Sequence, residues 1–267
     1  MSVDYGAAAQ SLIERGFATI QDSGALMRQV RSAFLEGRNF FGESSRTKCA
    51  ASTASKLEGY RPLGAEFSGT REQPDLCESF SVWGWNGDDP DVRAWATKHK
   101  LHQALWSVLP GYSAIANGVL ESVRSRINAH GQAFDASQAS YVQMNHYRPK
   151  AFEREFLQGV HEDGHVLSIL TSTAPGLEIC IDGQFTPAET TGSALLLLPG
   201  SILTLITGGR IAPLYHRVRN DHRTAVRQSL VYFTNPSILV PTVPWIENET
   251  NQGVDIRAIA VSCIGAR

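Results

Sequence analysis

Apolar residues in the first half of the chain recur every three to four positions, the spacing of one face of an α-helix. This periodicity predicts helices over residues 7–15 and 24–41, and a further helical stretch from about 91 to 126. The Pro110-Gly111 pair lies inside the last stretch and predicts a break into two helices. The first half is therefore expected to be rich in helix.

From residue 140 onward the pattern changes to short apolar runs between glycine, proline and aspartate turn signals. Such closely spaced runs favour an antiparallel sandwich or barrel over alternating β–α units. The runs predicted as strands are Tyr141–Tyr147, Val166–Ser172, Leu177–Ile181, Ala194–Leu198, Ile202–Ile206, Leu214–Val218 and Ser229–Phe233.

The chain is thus predicted to be mainly β with flanking helices, forming one domain over residues 1–267. We expect a helix-rich region over 1–139, a β core over 140–240 and a C-terminal segment over 241–267. The 267 residues are enough for one large hydrophobic core.

Composition narrows the class of function. The formal net charge is −2, so no strong positive field recruits nucleic acid or an anionic membrane. The apolar stretch 194–206 is too short to span a bilayer, and the N-terminal residues lack the basic start of a secretory signal. The four cysteines form no closely spaced pair, which indicates reduced thiols. These features predict a cytoplasmic protein whose partners are neither nucleic acid nor a membrane.

A candidate metal site begins with His161-Glu162-Asp163, just before a predicted strand. Residues i and i+2 of an extended chain point to the same side, so His161 and Asp163 could reach one ion. His216 lies on a later predicted strand, with enough chain between them for the sheet to return. Two imidazoles and one carboxylate leave coordination positions open, which suits iron(II) and O2. Each residue alone is equally consistent with an ordinary interior or loop position.

A candidate anion site follows the same alternation. Arg227 and Ser229 share one side of the last predicted strand, and Asn145 and Tyr147 share one side of the first strand of the β region. A guanidinium pairs with a carboxylate through two parallel hydrogen bonds, and hydroxyl and amide groups support such pairing. A surface arginine and buried sheet residues are the alternative interpretation.

The order and spacing of these motifs resemble the isopenicillin N synthase-like iron(II)- and 2-oxoglutarate-dependent dioxygenases. The resemblance lies in HEDGHVLSIL, YHRV and RQSLVYFTNP, with PGLEICIDGQF, ITGGRIAPLYHRV and MNHYRP between or before them. In the first half, ERGFATI, FFGESSRTK, GYRPLGAEF and DLCESFSVW are similar to family segments. The family usually has a small residue at the place of His165, and often Asn and Asp where this chain reads LLPGS.

The resemblance implies a distorted double-stranded β-helix (jelly roll) and iron ligation by His161, Asp163 and His216. It implies that Arg227 and Ser229 bind the distal carboxylate of 2-oxoglutarate, with Asn145 and Tyr147 near the iron. The implied activity is hydroxylation, desaturation or cyclisation of a metabolite, by analogy one of secondary metabolism. O2 would be consumed, 2-oxoglutarate would be decarboxylated to succinate, and ascorbate is expected to stimulate turnover.

Three alternatives stay open on the sequence alone. They are an iron oxidase of the same fold that does not use 2-oxoglutarate, a cupin-like metal hydrolase or isomerase, and a non-catalytic binding module. His165, Phe80 and Trp83 are candidates for the substrate side, with an exposed loop position as the other interpretation of His165. A basic rim for an acidic substrate could come from Arg148, Arg154, Arg210, Arg217, Arg219 and Arg223. The sequence does not indicate an oligomeric state.

Overall fold

The computed structural model describes residues 3–22, 24–53, 58–69, 72–84, 98–131, 133 and 135–265. Its helices are α1 Tyr5–Arg15, α2 Ala25–Phe41, α3 Ser45–Cys49, α4 Lys100–Arg126, α5 Ser201–Ile206 and α6 Ile256–Gly265, with a 3-10 turn at Pro149–Ala151. Its strands are β1 Ala18–Gln21, β2 Gly59–Arg61, β3 Cys77–Trp83, β4 Tyr141–Tyr147, β5 Phe156–His161, β6 Leu167–Ser172, β7 Leu177–Ile181, β8 Gln184–Pro187, β9 Ala194–Pro199, β10 His216–Arg219 and β11 Arg227–Thr234.

The first two predicted helices are confirmed, and local chemistry explains their limits. The Asp4 side chain accepts a hydrogen bond from the Ala7 amide and caps the start of α1. Gly16 ends the same helix with a left-handed backbone conformation (φ 75°), which costs glycine little. The chain then turns directly into β1.

The predicted break at Pro110-Gly111 is wrong within the described part of the stretch, because α4 continues through both residues. Gly111 has a packing role instead: a Cβ there would lie 2.9 Å from a methyl carbon of Leu26 on α2. The two longest helices therefore cross closely at this point, and that packing compensates for the hydrogen bond that Pro110 cannot donate. Residues 91–97 of the predicted stretch lie outside the described residues.

The strands of the described residues all pair antiparallel, in two sheets, which confirms the predicted mainly-β jelly roll with flanking helices. The large sheet has the order β1-β9-β6-β11-β4-β3-β2, and the small sheet has the order β5-β10-β7-β8. The helix-rich region contributes β1, β2 and β3 to the large sheet. The change of pattern near residue 140 is therefore not a boundary between two cores.

Alternation along the strands gives the large sheet two differently packed faces. Val142 and Leu230 point toward the helices and join the core that those helices cover. Tyr147 and Val231 point the other way and pack with Leu177 and its neighbours from the small sheet. The candidate metal and anion-binding residues line the space on this side, between the two sheets. None of the described helices is long and apolar enough to cross a lipid bilayer.

Most strand predictions differ from the structure by two residues or fewer at their ends, but one is wrong. The run Ile202–Ile206, predicted as a strand, is part of helix α5. Its buried residues, Ile202, Leu203 and Ile206, lie on one helical face, and β9 ends at the preceding Pro199. Five apolar residues are too short a run for periodicity to separate a buried strand from a buried helix.

Candidate active site

The three candidate metal ligands converge at one edge of the small sheet. His161 ends β5 and His216 begins β10, and the two are directly paired across these strands. Their ring centroids are 4.2 Å apart. Asp163 lies two residues beyond β5, with its carboxylate oxygens 3.8 Å from His161 Nε2 and 3.9 Å from His216 Nε2. One donor atom from each residue therefore fits around a single ion, all within 4.8 Å of one another.

Backbone carbonyls fix the orientation of both imidazoles. His161 Nδ1 donates to the carbonyl oxygen of Gly159 at 2.9 Å, and His216 Nδ1 donates to that of Leu214 at 3.1 Å. Because a carbonyl only accepts, each Nδ1 carries a proton, and each Nε2 is the ring nitrogen left to face the ion. This is the arrangement that metal-binding histidines ordinarily show.

Asp163 is held as a carboxylate. Burial alone would raise its pKa, but His216, His161 and His165 and a hydrogen bond from Ser168 outweigh burial and hold the pKa at about 2. Two imidazoles and one ionised carboxylate form the donor set that suits iron(II) with open coordination positions.

Gly200 holds the loop that carries Asp163. The amide of Ser201 donates to the Asp163 carbonyl at 2.9 Å, and the amide of Ile202 donates to the His165 carbonyl at 3.1 Å. A Cβ at position 200 would lie only 2.1 Å from the His165 carbonyl oxygen, so a side chain cannot fit there without moving the loop. The PGS turn after β9 thus positions a candidate metal ligand.

The three residues face a cavity of about 320 Å³ between the two sheets, at the small end of typical ligand pockets. The cavity is lined by Glu66, Phe67, Ser68, Gly69, Asp75, Cys77, Gln143, Asn145, Tyr147, Gln158, His161, Glu162, Asp163, Gly164, His165, Leu170, Leu177, His216, Val218, Arg227, Ser229, Val231 and Phe233. The three metal candidates and the four anion-site candidates therefore open into the same space.

The four anion-site candidates form a compact polar patch on two neighbouring strands. Arg227 is the direct partner of Tyr147 across the β11–β4 pair, and Ser229 is the direct partner of Asn145. All four side chains are buried in the cavity wall. The alternation predicted from sequence holds on both strands, and the register places the two pairs side by side.

Arg227 is a buried cation with spare donor capacity. Its side chain is among the largest fully buried ones in the protein, and burial lowers its pKa. Nε donates to the Pro175 carbonyl at 3.2 Å, whereas Nη1 has no hydrogen-bond partner among the described residues. No described carboxylate forms an ion pair with it. An uncompensated buried charge costs several kcal/mol, so the site is arranged to receive an anion.

Tyr147 is held in place beside this cation. Burial raises the pKa of its phenol, which therefore stays protonated, and the hydroxyl donates to Gln158 Oε1 at 3.1 Å. The guanidinium carbon of Arg227 lies 5.2 Å from the centre of the Tyr147 ring, within the range of a cation–π contact.

The substrate-side predictions have mixed outcomes. His165 lines the cavity and is buried, so the exposed-loop interpretation is wrong. Its Nδ1 donates to Asn235 Oδ1 at 2.8 Å, and the Tyr141 hydroxyl lies 3.3 Å from its Nε2. Phe80 is wrong as a substrate contact, because it faces the helices and packs edge-on against Phe40 at 5.1 Å.

Trp83 is on the cavity side of β3 but is not among the described residues that line the cavity. Its ring stacks on Tyr141 with centroids 4.2 Å apart, so it fills the space between the sheets instead. Phe80 and Trp83 are three positions apart on one strand, and alternation places such residues on opposite faces.

The proposed basic rim is also absent from the described cavity lining. Arg148, Arg217, Arg219 and Arg223 form ion pairs with nearby carboxylates. The other two, Arg154 and Arg210, donate to the backbone carbonyls of Pro74 and Ile127.

Sequence reasoning missed several polar residues of the cavity. Gln143 could have been found, since it lies two positions before Asn145 on the same face of β4. Glu66, Asp75 and Gln158 had no comparable signal. The first two lie in irregular segments, and the strand that carries Gln158 was not predicted.

Comparisons with known proteins agree on one family. Residues 139–236 match the model of the 2OG-Fe(II) oxygenase superfamily. Leucoanthocyanidin dioxygenase 2 of Oryza sativa subsp. japonica is 29% identical over 210 residues, covering 72% of this chain and 55% of that protein. Gibberellin 20 oxidase 2 of Oryza sativa subsp. indica is 25% identical over 246 residues, covering 85% and 61%. The chain thus spans little more than half the length of these relatives.

Solved structures show the same fold. A full-length Neurospora crassa protein, solved in complex with alpha-KG and thymine, superposes with a TM-score of 0.77, covering 98% of this chain and 90% of that one at 17% identity. The 2-oxoglutarate complex of the dioxygenase for auxin oxidation 1 from Arabidopsis thaliana gives a TM-score of 0.74, covering 93% and 96% at 16% identity.

Proposed function

We propose that the chain is a member of the 2OG-Fe(II) oxygenase superfamily and that it oxidises a small molecule with O2 while converting 2-oxoglutarate to succinate and CO2. In the hydroxylation form, one oxygen atom of O2 enters the substrate C–H bond and the other enters succinate. Desaturation or cyclisation would use the same site with a different second step.

The observation that carries this proposal is the position of Arg227. A buried guanidinium without a carboxylate partner among the described residues opens into the same cavity as His161, Asp163 and His216. A dicarboxylate with a keto group can satisfy both sites at once, because one end binds metal and the other pairs with a guanidinium. A plain hydrolytic metal site does not need this cation.

Three groups of residues in the cavity would have separate roles. His161, Asp163 and His216 would hold Fe(II), which supplies O2 activation when bound. Arg227 and Ser229 would bind the distal carboxylate of 2-oxoglutarate, while Tyr147 and Asn145 fix its orientation. The apolar wall from the two sheets, including Leu170, Leu177 and Val231, would keep bulk water away from the reacting groups.

The test is succinate formation from 2-oxoglutarate with Fe(II), O2 and ascorbate, followed by mass spectrometry across a small-molecule panel. Succinate that requires both Fe(II) and O2 supports the proposal, and ascorbate is expected to stimulate it. Oxidation of a panel compound without 2-oxoglutarate would instead indicate an iron oxidase of the same fold. Turnover without O2 would indicate a hydrolase or isomerase, and failure to bind Fe(II) would indicate a non-catalytic module.

Partner and location follow as further proposals. The cavity volume fits a small metabolite, and a metabolite of secondary metabolism remains the prediction by family analogy. A cytoplasmic location also remains a prediction from the sequence.

A further inference from the structure

Glu66 is a buried carboxylate in the wall of the cavity, in the irregular segment that follows β2. Arg61 Nη1 donates to its Oε1 at 2.7 Å, and Gln143 Nε2 donates to its Oε2 at 3.3 Å. Arg61 is not among the described residues that line the cavity, whereas Glu66 is. The ion pair therefore presents its negative member to the cavity.

Gln143 is locked by a complete set of hydrogen bonds. Its Oε1 accepts from Arg61 Nη1 at 3.1 Å and from Ser81 Oγ at 2.9 Å. Its Nε2 donates to Glu66 and, at 2.8 Å, to Asn145 Oδ1. An amide has two donor hydrogens and two acceptor lone pairs, and all four are used here. The position of Glu66 is thus fixed by residues from three separate strands or loops.

The cation of Arg227 and the carboxylate of Glu66 lie at different positions along strand β4. Tyr147, Asn145 and Gln143 point in turn into the cavity from β4, and Arg227 lies across from Tyr147. Glu66 contacts Gln143, roughly 13 Å along the strand from Tyr147 at about 3.3 Å per residue. The cationic anchor and this carboxylate therefore occupy different ends of the cavity wall.

Glu66 retains acceptor capacity beyond these contacts. A carboxylate offers about four lone-pair sites, and the described residues donate one hydrogen bond to each of its oxygens. The carboxylate therefore has lone pairs that these two bonds do not use, at a residue that lines the cavity. The need to neutralise the charge of Arg61 explains why a carboxylate is present at position 66. It does not explain why that carboxylate lines the cavity.

We propose that Glu66 determines substrate specificity by accepting a hydrogen bond from an N–H group of the primary substrate. This inference rests on the proposed function, because it assigns the Arg227 end of the cavity to 2-oxoglutarate. The substrate class is then a small molecule with a protonated amine or a neutral amide-like N–H. A second carboxylic acid is disfavoured, because its anion would meet Glu66, and Arg61 pairs with Glu66 and is not among the described residues that line the cavity.

The experiment uses the protein loaded anaerobically with Fe(II) and 2-oxoglutarate, and three probes of matched size: benzylamine, benzamide and benzoate. Binding of each probe is measured by ligand-observed NMR for the wild type, E66Q and E189Q. Glu189 is an exposed glutamate outside the cavity lining, so E189Q is the matched control. Fe(II)-dependent binding of 2-oxoglutarate is measured first; its absence would refute the proposed function and not this inference alone.

Benzylamine and benzamide carry N–H groups and are the donor probes. At least one of them is expected to bind the wild type about tenfold more tightly than benzoate, and E66Q should remove most of that preference. The glutamine oxygen of E66Q still accepts a hydrogen bond, but more weakly than a carboxylate. A loss confined to benzylamine therefore identifies a cationic group, and a loss for both benzylamine and benzamide identifies an N–H group in general. Benzoate binding as tightly as the donors, no binding of either donor, or an unchanged preference in E66Q would overturn the inference.

E66Q removes the ion pair between Arg61 and position 66 and could weaken folding. The double variant R61Q/E66Q removes both charges and keeps polar side chains at both positions. It should retain Fe(II)-dependent 2-oxoglutarate binding and show the same loss of probe preference. If it keeps the wild-type preference, Glu66 has only a structural role and the inference fails.

Discussion

Arg227 and Tyr147 are direct partners on neighbouring strands, and both side chains point into the space between the sheets with the guanidinium 5.2 Å from the ring centre. The ring covers one side of the cation, and the Pro175 carbonyl accepts from Nε. The guanidinium edge that bears Nη1 is left for a ligand. This relationship gives the most direct test of cosubstrate binding.

Replacing Arg227 should weaken 2-oxoglutarate binding in a graded way. Arg227→Lys keeps a charge but loses the two-pronged geometry, and we expect about a tenfold rise in the 2-oxoglutarate concentration for half-maximal succinate formation. Arg227→Gln also loses the charge and should raise this half-maximal 2-oxoglutarate concentration about a hundredfold. Arg223→Lys, at an exposed arginine paired with Asp221, is the control. Equal 2-oxoglutarate dependence in all variants would contradict the assignment.

Replacing Asp163 should remove the metal. Asp163→Ala deletes the only carboxylate that lies between the Nε2 atoms of His161 and His216 among the described residues. We expect loss of succinate formation and a large drop in Fe(II) affinity in anaerobic equilibrium dialysis, with the circular dichroism of the folded protein retained. Asp221→Ala, at a partly exposed aspartate outside the described cavity lining, is the control. Wild-type Fe(II) affinity in Asp163→Ala would rule out this ligand set.

Gly200→Ala tests whether the turn after β9 positions the metal loop. The added Cβ would collide with the His165 carbonyl and displace Asp163, which is anchored to the next residue. We expect weaker Fe(II) binding and a loss of about 1–3 kcal/mol in the free energy of unfolding. The control is Gly159→Ala, where a Cβ meets nothing within 4 Å. Unchanged Fe(II) affinity in Gly200→Ala would show that the loop does not depend on this contact.

His146 predicts a loss of stability in acid. It is buried on the helix side of β4 and stacks on Phe41, with burial lowering its pKa from 6.5 to about 4. Below pH 6.5 the unfolded chain takes up a proton that the folded protein does not bind until about pH 4. The stability this group contributes is therefore complete above pH 6.5 and falls by roughly 3 kcal/mol toward pH 4.

His146→Phe keeps a ring against Phe41 and removes the titrating group, so its unfolding free energy should depend less on pH in this window. Urea unfolding at several pH values between 4 and 7 measures the difference. His222→Phe, at an exposed histidine, serves as the control. If His146→Phe and the wild type lose stability in parallel as the pH falls, burial of His146 is not the cause.

Much of the site could be predicted because strands alternate. His161 and Asp163, Arg227 and Ser229, and Asn145 and Tyr147 are three pairs separated by two positions, and each pair shares a side in the structure. The same rule would have rejected Phe80 and Trp83 as joint cavity residues, since three positions separate them. Alternation predicts which face of the sheet a side chain points to. It does not predict which side chains from other strands it contacts.

The remaining features depend on contacts that local sequence does not encode. Glu66 lies in an irregular segment, and its burial depends on Arg61 and on Gln143 of a distant strand. Helix α5 likewise depends on packing, because Ile202 and its neighbours are buried on one helical face. The continuity of helix α4 depends on its close crossing with α2 at Gly111. Such contacts form only when remote parts of the chain meet.

His161 and His216 are paired on adjacent strands, although 55 positions separate them along the chain (216 − 161). An ion bound by both would act as a removable cross-link, tying β5 to β10 where the small sheet meets the cavity. Its binding energy would add to the stability of the fold only while it is bound. The melting temperature should therefore report the occupancy of the site, rising with added Fe(II) under anaerobic conditions and falling when a chelator withdraws it.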